Sequence, residues 1–173
     1  MKKALLLLTL LLLVRPDVGR AQPPEVDSTL LGYYTWCNRH RTDPDMPLKA
    51  DTLFRMAGER GNKRMQSVAL CLHADYYYYT NDLDSLKLWV NKTQQFTRAN
   101  AQLTHYYFVW TRLILYYTKY ARYTLALYEL GRYQKEALRD DYKPAIAEAY
   151  KHMGHIYRTQ GSYDLAQENY RKA

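Results

Sequence analysis

Over its C-terminal two thirds the chain repeats itself every 40 residues, which restricts it to folds assembled from like units. Three segments superpose at that offset. Equivalent positions hold Leu70, Trp110 and Tyr150; His73, Leu113 and Met153; Ala74, Ile114 and Gly154; Tyr77, Tyr117 and Tyr157. The series continues through Asn81, Ala121 and Gly161; Leu83, Tyr123 and Tyr163; Leu86, Ala126 and Ala166; and Val90, Leu130 and Tyr170. Within a segment these positions step by three or four residues on either side of a break at 81, 121 or 161. That is the signature of two amphipathic helices joined by a tight turn. The spacing predicts helix pairs over 62–79 with 82–98, 102–119 with 121–138, and 143–159 with 162–173. Asn81-Asp82 and Gly161-Ser162 supply a helix stop followed by an N-cap, and Pro144 opens the fifth of these helices.

Composition agrees with an all-α chain. Seven Gly, six Pro and no β-branched runs argue against a sandwich or barrel, while 47% hydrophobic residues suffice for a sizeable core. Upstream of the repeats, residues 26–60 hold two further helical stretches, Asp27–His40 and Leu48–Arg60, separated by Asp43-Pro44-Asp45-Met46-Pro47. These are expected to form a degenerate helix pair over 22–61 that caps the repeats of 62–173 (62–98, 102–138 and 143–173).

The last segment carries a resemblance. Tyr150-x-x-Met153-Gly154-x-x-Tyr157, followed by Gly161-x-Tyr163-x-x-Ala166, Tyr170 and Ala173, resembles the tetratricopeptide repeat in the order and spacing of its signature residues. The second segment keeps the spacing with Ile114 and Ala121 in place of both glycines, and the first has Leu86 where the packing alanine belongs. The resemblance implies an α–α solenoid of about three helix pairs plus the N-terminal pair. Tyr150, Gly154, Tyr157, Gly161, Tyr163, Ala166 and Tyr170 are then its packing positions. Gly154 and Ala166 are small where the two helices of one unit cross. A period of 40 against the family's roughly 34 implies longer second helices or longer loops between repeats.

The N-terminus is an address. Met1-Lys2-Lys3 precedes an apolar run, Ala4 to Val14, that as a helix spans only about 16 Å, half a bilayer core. Gly19-Arg20-Ala21 places small residues before a cleavage point ahead of Gln22, so residues 1–21 are expected to be a secretory signal peptide. The protein would then be exported, to the periplasm of a bacterium. Cleavage removes four cations and Asp17, lowering the formal charge from +8 to +5. The remaining Lys and Arg are interspersed with acids and form no stripe that tracks phosphates, which argues against nucleic acid. Contact with a membrane would come only from an uncleaved signal or a missing C-terminal region.

Candidate chemistry is sparse. His152 and His155 lie three apart on one helix without a third ligand at metal-site spacing. Cys37 and Cys71 are open to either reading, a disulfide or two buried thiols. No nucleophile elbow, phosphate loop or metalloprotease pattern occurs, and the reading is of a non-enzyme with no cofactor and no metal. Of the 19 tyrosines, Tyr76-Tyr77-Tyr78-Tyr79 are consecutive. Helical residues point about 100° apart, so the four cannot share one face. The register buries Tyr77 and turns Tyr78 and Tyr79 outward, to recognition or to packing.

Tetratricopeptide arrays bind peptides along their first helices, and the resemblance places a partner groove at Asp75, Tyr78 and Tyr79, then Thr111, Leu115 and Lys119, then Lys151, His155 and Arg158. Such a groove grows more basic toward the C-terminus and suits an acidic or C-terminal carboxylate ligand. Ala173 falls before a capping helix, so the chain is expected to be a fragment or to be covered at that end by a partner, including a second copy. Two functions follow: an exported protein- or peptide-binding scaffold, or the periplasmic sensory input region of a membrane-bound signalling regulator.

Overall fold

The structure, a computed structural model, describes residues 27–173; the expected signal peptide at 1–21 lies outside them. Among the described residues the chain is all-helical, without a strand. The helices are α1 (Ser28–Arg39), α2 (Met46–Glu59), α3 (Lys63–Thr80), α4 (Leu83–Ala99), α5 (Leu103–Lys119), α6 (Tyr123–Arg139), α7 (Lys143–Thr159) and α8 (Tyr163–Lys172). Each helix packs against the next, and α3 also packs against α1 and α5.

The turns reveal a finer period than the sequence repeat. Gly61, Asn81, Ala101, Ala121, Asp141 and Gly161 all have positive φ, at intervals of 20 residues. Behind each, the next backbone N–H donates to the carbonyl five residues earlier: Asn62 to Ala57 (2.8 Å), Asp82 to Tyr77 (3.0 Å), Gln102 to Thr97 (2.8 Å), Arg122 to Tyr117 (2.8 Å), Tyr142 to Ala137 (2.9 Å) and Ser162 to Tyr157 (2.9 Å). This is the Schellman closure of a helix C-terminus, and the donor residue then opens the following helix. Asn62 and Asp82 also cap with their side chains, accepting from the Met65 N–H (2.9 Å) and the Ser85 N–H (3.0 Å). Ser162 holds the N-cap position without a side-chain bond, so the expected cap there is a backbone feature only.

One turn therefore serves both within and between pairs. Helices α4 to α7 are each 17 residues long, so the excess over the roughly 34-residue repeat lies in both helices of a pair, not in longer second helices or loops. A left-handed conformation costs a non-glycine L-residue about 1–2 kcal/mol. Asn81 and Asp141 have side chains that ease this; Ala101 and Ala121 do not. Glycine's extra freedom in the unfolded chain returns about 0.5–1 kcal/mol of the gain. Ala121→Gly is expected to raise stability by about 0.5–1 kcal/mol, or roughly 1–4 °C in melting temperature. A lower melting temperature would contradict the left-handed turn.

The second helices bury equivalent positions at the 40-residue offset. Met46, Leu86, Ala126 and Ala166 form one row; Ala50, Val90 and Leu130 a second; Leu53, Thr93 and Tyr133 a third; Ala57, Thr97 and Ala137 a fourth. Helix α2 is in register with α4 and α6, so the N-terminal pair carries the same packing as the pairs after it. It departs in the shorter α2, 14 residues against 17 in α4 and α6, and in the longer connection through Asp43-Pro44-Asp45, with Asp45 as the N-cap of α2. First helices bury Ala69, Val109 and Ala149, then Ala74 and Ile114.

Gly154 lies against α8: a Cβ there would stand 2.8 Å from two ring carbons of Tyr170. Ala166, on the same helix as Tyr170, is buried too. The other packing expectations divide. Tyr150 and Tyr157 are half-buried, and Gly161 holds its φ of 78°. Tyr163 is 71% exposed and Tyr170 is 41% exposed. Their counterparts in earlier pairs, Leu83, Tyr123, Val90 and Leu130, lie in or against the core, whereas α8 is the last described helix and only α7 packs on it.

A charged clamp joins the turn ends of α4, α5 and α6. Arg98 donates to Asp140 (2.5 Å) and Glu136 (2.8 Å), while the hydroxyls of Tyr106 and Tyr107 donate to Glu136 (2.5 Å) and Asp140 (2.6 Å). Two of the tyrosines are thereby consumed by structure.

Candidate binding cleft

Between the first helices α1, α3 and α5 lies a cleft of about 370 Å³. Each helix contributes a stripe at helical spacing: Tyr34 and Asn38 with Arg41 just beyond α1; Val68, Cys71, Leu72 and Asp75 from α3; Thr104, His105, Phe108 and Arg112 from α5. Helix α3 packs against both α1 and α5 and so brings these stripes together.

An ion pair lies in the cleft wall. The Arg112 Nε donates to the Asp75 Oδ1 at 2.5 Å, with the carboxylate side chain 8% and the guanidinium 17% exposed. Burial pushes the Asp75 carboxyl above the ordinary carboxylate range, and the guanidiniums of Arg112 and Arg41 pull against it. Among the described residues no protein donor reaches the Asp75 Oδ2, and the Arg112 terminal nitrogens make no protein hydrogen bond. Phe108 backs the guanidinium, its ring centroid 4.5 Å from the Arg112 Cζ.

Arg41 is fixed from two sides. Its Nε donates to the backbone and side-chain oxygens of Asn38 (3.0 Å each), its Nη2 also donates to the Asn38 side chain, and its Nη1 donates to the Tyr79 hydroxyl at 2.6 Å. Of its five N–H donors, one on each terminal nitrogen remains. On the opposite wall His105 is half-buried with Nδ1 unpartnered. Burial, reinforced by Arg64, holds its imidazole below the usual histidine range, so it is neutral at pH 7.

Of the nine residues expected to line a groove, only Asp75 lines the cleft, and it is already paired. Tyr79 supports Arg41 from the rim. Tyr78 is half-buried, with the Lys119 Nζ 5.5 Å from its ring centroid. Thr111 is buried, its hydroxyl donating to the Phe108 carbonyl, so it faces inward; Leu115 is half-buried. Lys119 is exposed and donates to the Asn81 side chain at 2.8 Å. Lys151, His155 and Arg158 are exposed on α7, away from the cleft, and Lys151 is paired with Glu148 at 2.5 Å. The cleft sits over residues 68–75 of α3 and 104–112 of α5, upstream of most of the expected groove. Its cations are Arg41 and Arg112, which a search at equal repeat positions passes over.

The tyrosine run is half-buried throughout, including Tyr77, which was expected in the core. Tyr76 packs against the core of α1–α3, and Tyr77 and Tyr78 against the core formed mainly by α4–α7. Cys37 and Cys71 are free, buried thiols, divided between those two cores. Burial pushes the Cys37 thiol up to about 11 and the Cys71 thiol higher still, so neither is a nucleophile near neutrality. His73 is buried, stacked on Trp89 at 3.7 Å, with Nε2 2.9 Å from the Asp51 Oδ1. His152 pairs with Glu148 at 3.0 Å. Among the described residues no three His, Cys, Asp or Glu side chains converge to hold a metal, and no helix is long and apolar enough to cross a membrane.

Compared with family models, curated proteins and solved structures, the chain matches none.

Proposed function

We propose that this protein is a non-catalytic binding scaffold. In this reading the helix pairs form a tetratricopeptide-like solenoid whose first helices line a ligand groove, and the signal at 1–21 carries the protein to the periplasm. The observation that carries it is the cleft between α1, α3 and α5: a concave site with apolar walls and two guanidiniums held ready by Asn38, Tyr79 and Phe108. The uniform 20-residue turn and the side-by-side packing of α1, α3 and α5 support a repetitive array. The partner is a peptide or protein segment bearing a carboxylate, received by Arg41 and Arg112 rather than by Lys151 and Arg158.

Selection of a random peptide library with free C-termini on the immobilised chain tests this. Acidic or carboxylate-ended peptides with apolar neighbours are expected to enrich, and Arg41→Glu is expected to abolish their capture. Lys151→Glu is expected to leave it unchanged. Enrichment indifferent to Arg41→Glu, or none at all, would overturn the proposal.

A sensory input module is the second reading, favoured by the size of the cleft. About 370 Å³ lies at the small-molecule end of the roughly 300–1,000 Å³ range of ligand clefts. A ligand there touches three helices at once and can bias their packing.

A further inference from the structure

We propose that the cleft receives a free α-amino acid with an apolar side chain, its carboxylate on the terminal nitrogens of Arg112 and Arg41 and its ammonium on the Asp75 Oδ2. The inference rests on the cleft being the ligand site.

The ion pair leaves hydrogen-bonding groups unused. Asp75 is 6% exposed as a residue and lines the cleft with one oxygen bonded to Arg112 and the other accepting from no protein donor. That second oxygen is not enclosed by protein, so it stands open in the cleft to a ligand cation. Beside it, among the described residues Arg112 engages only its Nε, leaving both terminal nitrogens of a planar fork suited to a carboxylate. Arg41 adds one N–H on each terminal nitrogen and is already ordered, so little side-chain freedom is lost on binding.

Two cations and one anion in a single cleft match a ligand that carries opposite charges on one carbon better than a plain anion. A dicarboxylate would set one of its charges against Asp75, and like charges brought together in a half-buried site repel strongly. An ammonium with no carboxylate beside it would face two guanidiniums. An α-amino acid satisfies both halves. Val68, Leu72 and Phe108 on the same walls, with Tyr34 opposite, provide an apolar seat for its side chain. His105 is neutral at pH 7 and adds no charge to this balance.

The test is titration calorimetry on the purified full chain with each of the twenty free amino acids, then with the N-acetyl and amide derivatives of the tightest binder. Each derivative removes one charge and so one charge-assisted contact. Both are expected to weaken binding by about tenfold or more. Arg41→Gln is expected to weaken binding similarly at an unchanged melting temperature, which separates lost contact from lost fold. Lys87→Glu, on the exposed side of α4, is expected to change nothing. An N-acetyl derivative that binds as tightly as its parent would overturn the ammonium site, and an amide that does so would overturn the carboxylate site. If none of the twenty binds, the inference fails. Arg41-dependent peptide enrichment would then leave the scaffold reading standing.

Discussion

Replacing Arg112 with methionine is expected to cost about 3–5 kcal/mol of stability, because it strands a buried carboxylate without its partner. For a chain of this size that is roughly 6–20 °C in melting temperature. Asp75 and Arg112 have side chains only 8% and 17% exposed, so solvent screens the pair weakly. Removing both charges together, Asp75→Leu with Arg112→Met, is expected to restore most of the loss, since the stranded charge and not the missing attraction dominates the cost. The deficit has a definite pH dependence. The folded-state Asp75 carboxyl already titrates above its reference value of 3.8, and losing Arg112 pushes it further up. Below pH 3.8 both folded and unfolded chains hold the proton. As pH rises past 3.8 the unfolded chain releases it first, and stability falls until the folded carboxyl ionises too. The variant's deficit is therefore expected to be largest at neutral pH and to shrink on acidification toward pH 4. A deficit that grows on acidification would contradict the assignment.

Tyr133→Ala is expected to cost about 3–5 kcal/mol, again roughly 6–20 °C. Tyr133 is 2% exposed and packs edge-on against Tyr107 and Trp110, with ring centroids 5.0 and 5.6 Å away. It fills the position that Leu53 and Thr93 hold in earlier pairs, so truncation leaves a cavity between α5 and α6. Among the described residues its hydroxyl makes no protein hydrogen bond, and Tyr133→Phe is expected to fall within about 0.5 kcal/mol of the parent. Tyr128, five residues earlier and 63% exposed, is expected to tolerate alanine with a change of similar size. Thermal denaturation of the three variants checks the ordering. Equal losses for Tyr133→Ala and Tyr128→Ala would contradict the packing of α6.

The helices were legible because their apolar positions step by three and four, and Asn81-Asp82 and Gly161-Ser162 mark two of the turns by composition alone. The turns at Ala101, Ala121 and Asp141 were not legible as left-handed: the tertiary packing of flanking 17-residue helices imposes a conformation that alanine does not itself favour. The N-terminal pair read as degenerate because the Pro-containing connection hides its register. Only burial shows that Met46, Ala50, Leu53 and Ala57 align with the rows downstream.

The cleft was the least legible part, for a geometric reason. Comparing equal repeat positions pairs residues 40 apart, yet Arg112 meets Asp75 across 37, one turn off register, because neighbouring first helices contact diagonally. Arg41 lies past the end of α1, at the turn position equivalent to Asn81, Ala121 and Gly161, and so outside the helical positions from which a groove is read. Asp75 was singled out, but as a ligand contact; the structure makes it half of an ion pair first.

The central claim is that ligands enter between α1, α3 and α5. Amide chemical shifts of the isotopically labelled chain, recorded while titrating the tightest ligand from the peptide or amino-acid screens, test it most directly. Shifts are expected to concentrate at Asn38, Leu72, Asp75, His105 and Arg112, with α8 unmoved. Shifts confined to Lys151, His155 and Arg158 on α7, or to the outward sides of α4 and α6, would contradict it.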